Sequence, residues 1–463
     1  MAAAFHHGTE TQRVDGGSNA VYTVDGAITA MVGTAPIGAV NELTVCSTIK
    51  DFSQFSALTN AGFPLPDAAN IWTRYASGVA YVVNVCDPAK HKSQVSDEVL
   101  TVDADTLTAK TKHPALQSGY TVSDGDSPLA EGENYTIDMV SGEITFTAKP
   151  VAPKISYTYT DPTKVTEADI IGGYVAATGK RTGLELLTEG YNRYGADAKI
   201  VIVPEYDKTA KVAAAAITLA TKLQAIAYID APTGTTLSKA LEGRGALGTI
   251  NFQTSSDRAE LFFPHVIGTL GVESLATHAA GLRMKTDVEQ GYWFSKSNRE
   301  LLGVTGLEIG LTARADDPQS ETNRLNEKGI TTVFNSYGTG YRLWGNRLAC
   351  FPTVTHIKNF EVAQRTGDLI DESIRRVELQ YIDRPIDDAL LDSLLETIRT
   401  YLSTLPSIVG FSLDLDYDYD LVDAFSKGQV PIVYEYTPKL PAERISNKSV
   451  MTRKYLANLV SGN

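Results

Sequence analysis

KIVIVPEYDKTAKVAAAAITLATKLQAIAYID, residues 199–230, reads as one strand–helix–strand unit. Lys199–Pro204 is apolar without alternation, the pattern of a strand buried on both faces. Ala210–Ala225 is an alanine-rich helix, and Ala227–Asp230 is a second buried strand. Two strands joined through a helix lie parallel, which places the unit in an α/β layer. Working outward, Ala80–Cys86 adds a buried strand, Asp67–Tyr75 and Gly183–Tyr191 read as helices, and Ile330–Phe334 and Tyr341–Trp344 read as further strands. Tyr22–Val40 is β-rich and broken by Gly and Pro.

Two regions differ in character. From Glu98 to Thr160, short alternating segments (Val99–Asp103, Tyr135–Asp138, Glu143–Thr147, Ile155–Thr160) are separated by Asp124-Gly125 and Ser141-Gly142 turns, the spacing of a small all-β module. Tyr135–Phe146 predicts a hairpin. Near the other end, Asp387–Leu402 is the clearest helix: Leu390, Leu391, Leu394, Leu395, Ile398 and Leu402 make one stripe, with Asp387 as N-cap and Asp388 at the positive helix start. Val409–Leu421 and Pro431–Tyr436 then predict a hairpin with an available strand edge. The fold class is α/β and α+β multidomain. An α/β core (23–94 and 164–350) carries an inserted β-sandwich-like domain (95–163), an α+β C-terminal domain (351–441) and extended arms at 1–22 and 442–463.

Composition narrows the function. The 463 residues carry a net charge of −14, which disfavours a large nucleic-acid-binding face. Between Lys439 and Asn463 the balance reverses: Lys439, Arg444, Lys448, Arg453 and Lys454 stand against Glu443 alone. A basic tail on an acidic body predicts an acidic partner surface, although a merely solvated tail has the same composition. Cys46, Cys86 and Cys350 lack metal spacing and fit a reducing cytoplasm. Val212–Ala220, between Lys211 and Lys222, is too short to span a bilayer, and no secretory signal is visible.

Catalytic and cofactor patterns fail on context. Glu242–Gly248 has dinucleotide-motif glycines, but a helix precedes and the strand-like Thr249–Phe252 follows, the reverse of what pyrophosphate binding needs. Gly173–Arg181 misses P-loop spacing by one residue. The seven histidines show no zinc pattern, and no G-x-S-x-G elbow occurs. Asp414, Asp416, Asp418 and Asp420 lack the glycine and glutamate of a calcium loop. Their alternation with Leu415, Tyr417, Tyr419 and Leu421 predicts a strand with one carboxylate face, either solvated or docking something basic. No cofactor, metal or catalytic residue is expected.

Several segments resemble the tail sheath family of contractile bacteriophages and related particles. Val24–Gly38 is similar to the family's early strand and V-G-x-A-P-x-G turn. Gly291–Val304 (GYWFSKSNRELLGV) resembles its W-x-S-P-x-N-R segment with the usual proline absent. Leu325–Val333 and Gly340–Arg347 look like its L-N-x-x-G-I and R-x-W-G-x-R segments, Asp368–Arg375 its next helix, and Tyr434–Ile445 its closing strand. The first arm lacks the frequent P-G-V opening.

The resemblance implies a structural subunit, not an enzyme. It would polymerise helically with itself, in hexameric rings, around a tail tube, and contract to drive the tube through the host envelope during genome ejection. Further partners would be baseplate and tail terminator proteins, with neither nucleic acid nor membrane bound directly. The subunit would belong to the virion tail and be assembled in the host bacterial cytoplasm. The arms, through Val21, Tyr22, Val24, Val450, Tyr455, Leu456, Leu459 and Val460, would add strands to neighbouring subunits. Asp414, Asp416, Asp418, Tyr434 and Tyr436 would form the acceptor hairpin, with Lys448, Arg453 and Lys454 as its charge partners. Asp388, Asp392 and Glu396, at helical i, i+4 spacing, would face the tube or be a solvated face. The alternatives are an α/β enzyme with a β-rich accessory domain, a DNA-free contractile particle, and, for 95–163 alone, a carbohydrate- or host-binding module.

Overall fold

A computed structural model describes residues 28–75, 78–244, 248–335, 338 and 340–459. At its centre is an eight-stranded sheet in the order Thr44–Cys46, Val79–Asn84, Ile28–Gly33, Ile200–Ile202, Ile226–Asp230, Ala259–Phe262, Ile330–Phe334, Arg342–Trp344. The six inner strands run parallel, and the two edge strands are antiparallel to their neighbours. Successive residues of one strand feed opposite cores. Ile200 and Ile202 point to the face covered by helices Pro64–Thr73 and Leu275–Gln290, while Val201 points to the face covered by Ala210–Leu223. Burial on both faces is why these strands read as unbroken apolar runs.

Gly183–Tyr191 is not one α-helix. Gly183–Glu189 is 3-10 and only Gly190–Tyr194 is α. Leu184 and Leu187 are both buried, and their separation of three puts them in line on a three-residue turn. Thr249–Phe252 is not a strand either, and Gly245 of the glycine motif lies outside the described residues. Nearby, the Arg244 guanidinium donates to the carbonyls of Lys328 (2.8 Å), Phe252 (3.3 Å) and Phe351 (3.0 Å), tying loops together. Gly173–Val175 and Lys180–Thr182 form a hairpin rather than a phosphate loop.

Residues 92–160 form two small sheets over one core. Lys92–Val99, Pro153–Thr160, Thr121–Asp124 and Ser127–Pro128 make one; Thr108–Lys110, Glu143–Phe146 and Tyr135–Asp138 make the other. Val122, Tyr135, Ile144, Phe146, Ile155 and Tyr157 fill the space between. Ile137 pairs with Ile144 in the expected hairpin. The expected strand Val99–Asp103 is displaced: the strand ends at Val99, Leu100 turns inward, and Asp103 accepts from the Asp105 and Thr106 amides (both 2.9 Å) in a turn. Lys92 pairs with Thr160, so the chain enters and leaves this unit at one place.

Helices Glu361–Glu378 and Asp388–Thr404 pack with a two-stranded antiparallel sheet, Ile408–Leu415 and Ile432–Pro438, around Ile370, Ile374, Leu394, Ile398, Leu402 and Ile408. Asp387 caps the second helix, accepting from the Leu390 amide at 2.7 Å. The predicted strand to Leu421 stops at Leu415. Asp416 accepts from the Asp418 amide (3.1 Å), and Asp420 accepts from the amides of Val422 (3.0 Å) and Asp423 (3.1 Å), capping helix Leu421–Ser426. Local side-chain-to-backbone bonds outweigh the alternation, so Asp414 is the only one of the four aspartates on the strand. No helix among the described residues is long and apolar enough to cross a membrane.

Candidate functional site

The two-stranded sheet is seated by its tyrosines. Tyr434 Oη donates to Asp371 Oδ1 at 2.8 Å on the helix beneath, and a Cβ at Gly367 would lie 2.8 Å from Tyr436 Oη. Tyr434 and Tyr436 therefore face their own subunit's helix. Among the described residues, no further strand pairs with either outer edge of this sheet, which leaves two rows of strand-edge groups.

Past Pro438, the Lys439 amide donates to the Ser407 carbonyl at 2.9 Å. Glu443 meets Arg347, and every described side chain from Arg444 to Leu456 is exposed, with Lys454–Leu459 a 3-10 turn. Val450, Tyr455 and Leu456 are uncovered apolar groups, and Lys448, Arg453 and Lys454 stand exposed beside them. Val21, Tyr22, Val24 and Val460 lie outside the described residues, as does the side chain of Leu459. Asp388, Asp392 and Glu396 are exposed on the helix face away from Leu390, Leu394 and Ile398, and Glu396 pairs with Arg399 at 3.1 Å.

Sequence reasoning missed the ionic junction under this region. Lys296 Nζ lies 2.6 Å from both Glu260 and Glu361. Glu361 opens the helix Glu361–Glu378 and also accepts from Tyr228 Oη. Arg365, one turn on, pairs with Asp287 of helix Leu275–Gln290. Arg283 Nε donates to Asp287 at 2.9 Å; its terminal nitrogens are within 2.6 Å of Asp287 and 3.7 Å of Glu361 but are not aligned for hydrogen bonds. Three cations and three carboxylates are thus buried together. Burial pushes the Glu260 carboxyl up, whereas Lys296, Arg283 and Arg365 outweigh burial at Glu361 and hold it below the usual carboxylate range. Lys296 sits in the GYWFSKSNRELLGV segment, whose polar residues carried no assigned role.

A cleft of about 550 Å³ is lined by Pro64, Asp67 and Ile71 of helix Pro64–Thr73, by Pro204, Glu205 and Tyr206 just past the strand Ile200–Ile202, and by Glu273 and Thr277. Of its ionisable lining, Glu205 pairs with Lys208 (2.8 Å) and Glu273 with Arg74 (2.8 Å), and Glu273 also shares a hydrogen bond with His278 (2.8 Å). Burial, ahead of all else, raises the Asp67 carboxyl there. Among the described residues, no group of three His, Cys, Asp or Glu side chains is placed to hold a metal ion.

Residues 179–347 match the family described as phage tail sheath protein central domain. The tail sheath protein of Burkholderia phage BcepMu is 46% identical over 479 aligned positions, covering 100% of both chains. The chain belongs to the phage tail sheath family. It is a structural subunit of a contractile tail sheath. The tail sheath protein of Escherichia phage P2 is 28% identical across 64% of this chain and 74% of its own. The fold matches the sheath complex of an extracellular contractile injection system in its contracted state, with a TM-score of 0.58, 12% identity and coverage of 98% and 99%. Two of the segments read from sequence show what their residues do. Gly329 of Leu325–Val333 has φ +70° and lies where a Cβ would come 2.7 Å from the Phe351 carbonyl oxygen. Arg347 of Gly340–Arg347 meets Glu443 of the closing segment.

Proposed function

We propose that this sheath subunit polymerises helically around a tail tube and that its C-terminal arm adds a strand to the two-stranded sheet of a neighbouring copy. The observation that carries this is the run from Arg444 to Leu456, exposed throughout and apolar at Ile445, Val450, Tyr455 and Leu456, beside a two-stranded sheet whose outer edges no other strand among the described residues fills. Strand addition fixes register through main-chain hydrogen bonds, each worth about 0.5–1.5 kcal/mol net. Contacts that do not close on themselves build a helix, and a lattice tied by arms can change packing while staying connected. In this reading residues 351–441 form the inner, tube-facing domain, 95–163 an outer decoration, and 1–22 a second arm. Hexameric rings, baseplate and terminator contacts, assembly in the host cytoplasm and tube penetration on contraction belong to the same proposal, as does the tube-facing role of Asp388, Asp392 and Glu396.

Charge pairing between Asp414, Asp416 and Asp418 and an incoming Lys448, Arg453 and Lys454 is the testable refinement. Changing the three aspartates to lysine is expected to weaken tube assembly several-fold, and changing the three basic residues to glutamate as well is expected to restore part of it. Pelleting assays on both variants check this. No recovery in the combined variant removes charge pairing while leaving strand addition intact.

A further inference from the structure

The last strand ends at Pro438, and the Lys439 amide bond to Ser407 is a slight tether for a chain that another subunit pulls on. A second, stronger hold follows at Glu443. Arg347 Nε lies 3.1 Å from both of its carboxylate oxygens, and Nη2 adds a further contact. Arg347 is itself held on three sides. Nη1 donates to Asn359 Oδ1 at 2.5 Å, and the guanidinium lies 3.5 Å from the Phe360 ring centroid and 4.7 Å from that of Phe351. Phe360 immediately precedes Glu361, which is bound by Lys296 and through it to Glu260 on the core strand Ala259–Phe262. An unbroken chain of contacts therefore runs from the arm's root to the central sheet, bypassing the two-stranded sheet.

We infer that Arg347 fixes the point and direction at which the C-terminal arm leaves the subunit, and passes tension on that arm into the core. The inference rests on the proposal that the arm binds another copy. A pull applied at Pro438 alone would open the Ile408–Pro438 pair first and peel the two strands apart one pair at a time. Held at Glu443, the pull reaches the packed core instead. A fixed root also limits the arm's sweep, which raises its effective concentration at a neighbour's sheet edge. The geometry favours arginine: a planar fork grips both carboxylate oxygens while its face stacks on Phe360, and a lysine ammonium has no fork and no plane with which to do both at once.

The test uses full-length Glu443→Ala and Arg347→Lys, measuring the melting midpoint of unassembled protein and the critical concentration for tube formation. Glu443→Ala is expected to melt as wild type and to need about tenfold more protein to assemble, the effect of losing one charge-assisted pair. Arg347→Lys should shift assembly in the same direction, and Glu443→Gln, which keeps one acceptor oxygen, should recover part of the loss. Assembly of Glu443→Ala at the wild-type concentration overturns the inference. So does a lowered melting midpoint in that variant, which would assign the pair to folding. Removal of residues 445–463 separates the two ideas. If that chain still assembles, strand addition and the Arg347 role both fall; if it fails while Glu443→Ala assembles normally, only the Arg347 role falls.

Discussion

A chain cut after Arg444 is expected to fold, remain soluble and form no tubes. Every described side chain from Arg444 to Leu456 is exposed, so the cut removes no core contact among the described side chains. What disappears, on the proposed strand addition, is the segment offered to the neighbour, with the exposed apolar Val450, Tyr455 and Leu456. Main-chain hydrogen bonds at about 0.5–1.5 kcal/mol each, repeated at every lattice contact, add up to more than helical polymerisation can lose. Negative-stain microscopy and a thermal melt check both halves. Striated tubes from the cut chain would dispose of strand addition by this arm, and a collapsed melting temperature would show that the arm belongs to its own subunit's fold.

Lys296→Met should cost about 3–5 kcal/mol of core stability, the largest effect expected of any single substitution here. The side chain is fully buried between Glu260 and Glu361, and its removal leaves Glu260 with no cationic partner and takes from Glu361 the nearest of its three, in a region that excludes water. Methionine has nearly the right length, so the loss is electrostatic and not a cavity. Neutralising the partners as well, in Glu260→Gln/Lys296→Met/Glu361→Gln, should return much of the stability, because the uncompensated charge is gone. Urea unfolding followed by tryptophan fluorescence measures both. A Lys296→Met protein as stable as wild type would mean that water reaches the junction.

The sheath elements legible in sequence are those set by local periodicity. The run from Lys199 to Asp230 folds as read because a strand buried on both faces and an alanine-rich helix each announce themselves within a dozen residues. Helix Asp388–Thr404 carries its N-cap and its apolar stripe in its own sequence. The failures were also local in origin. In Asp414–Asp420 an alternating pattern competed with turn and cap chemistry, and the side-chain hydrogen bonds of Asp416 and Asp420 prevailed. Gly183–Glu189 packs two leucines three apart and tightens to 3-10.

By itself, then, the sequence determined the parallel core layer, the inserted β module, the long C-terminal helix and a basic, unpatterned tail. Periodicity and composition act over neighbouring residues, and these features need nothing more. The tertiary structure alone decided that Glu260, Arg283, Asp287, Lys296, Glu361 and Arg365 share one buried junction, and that Arg347 grips Glu443 across 96 positions. Those partners lie on different strands, helices and loops, and a charge gives no sign in sequence of whether it will meet water or its opposite. Burial decides that, and burial is a property of the folded chain.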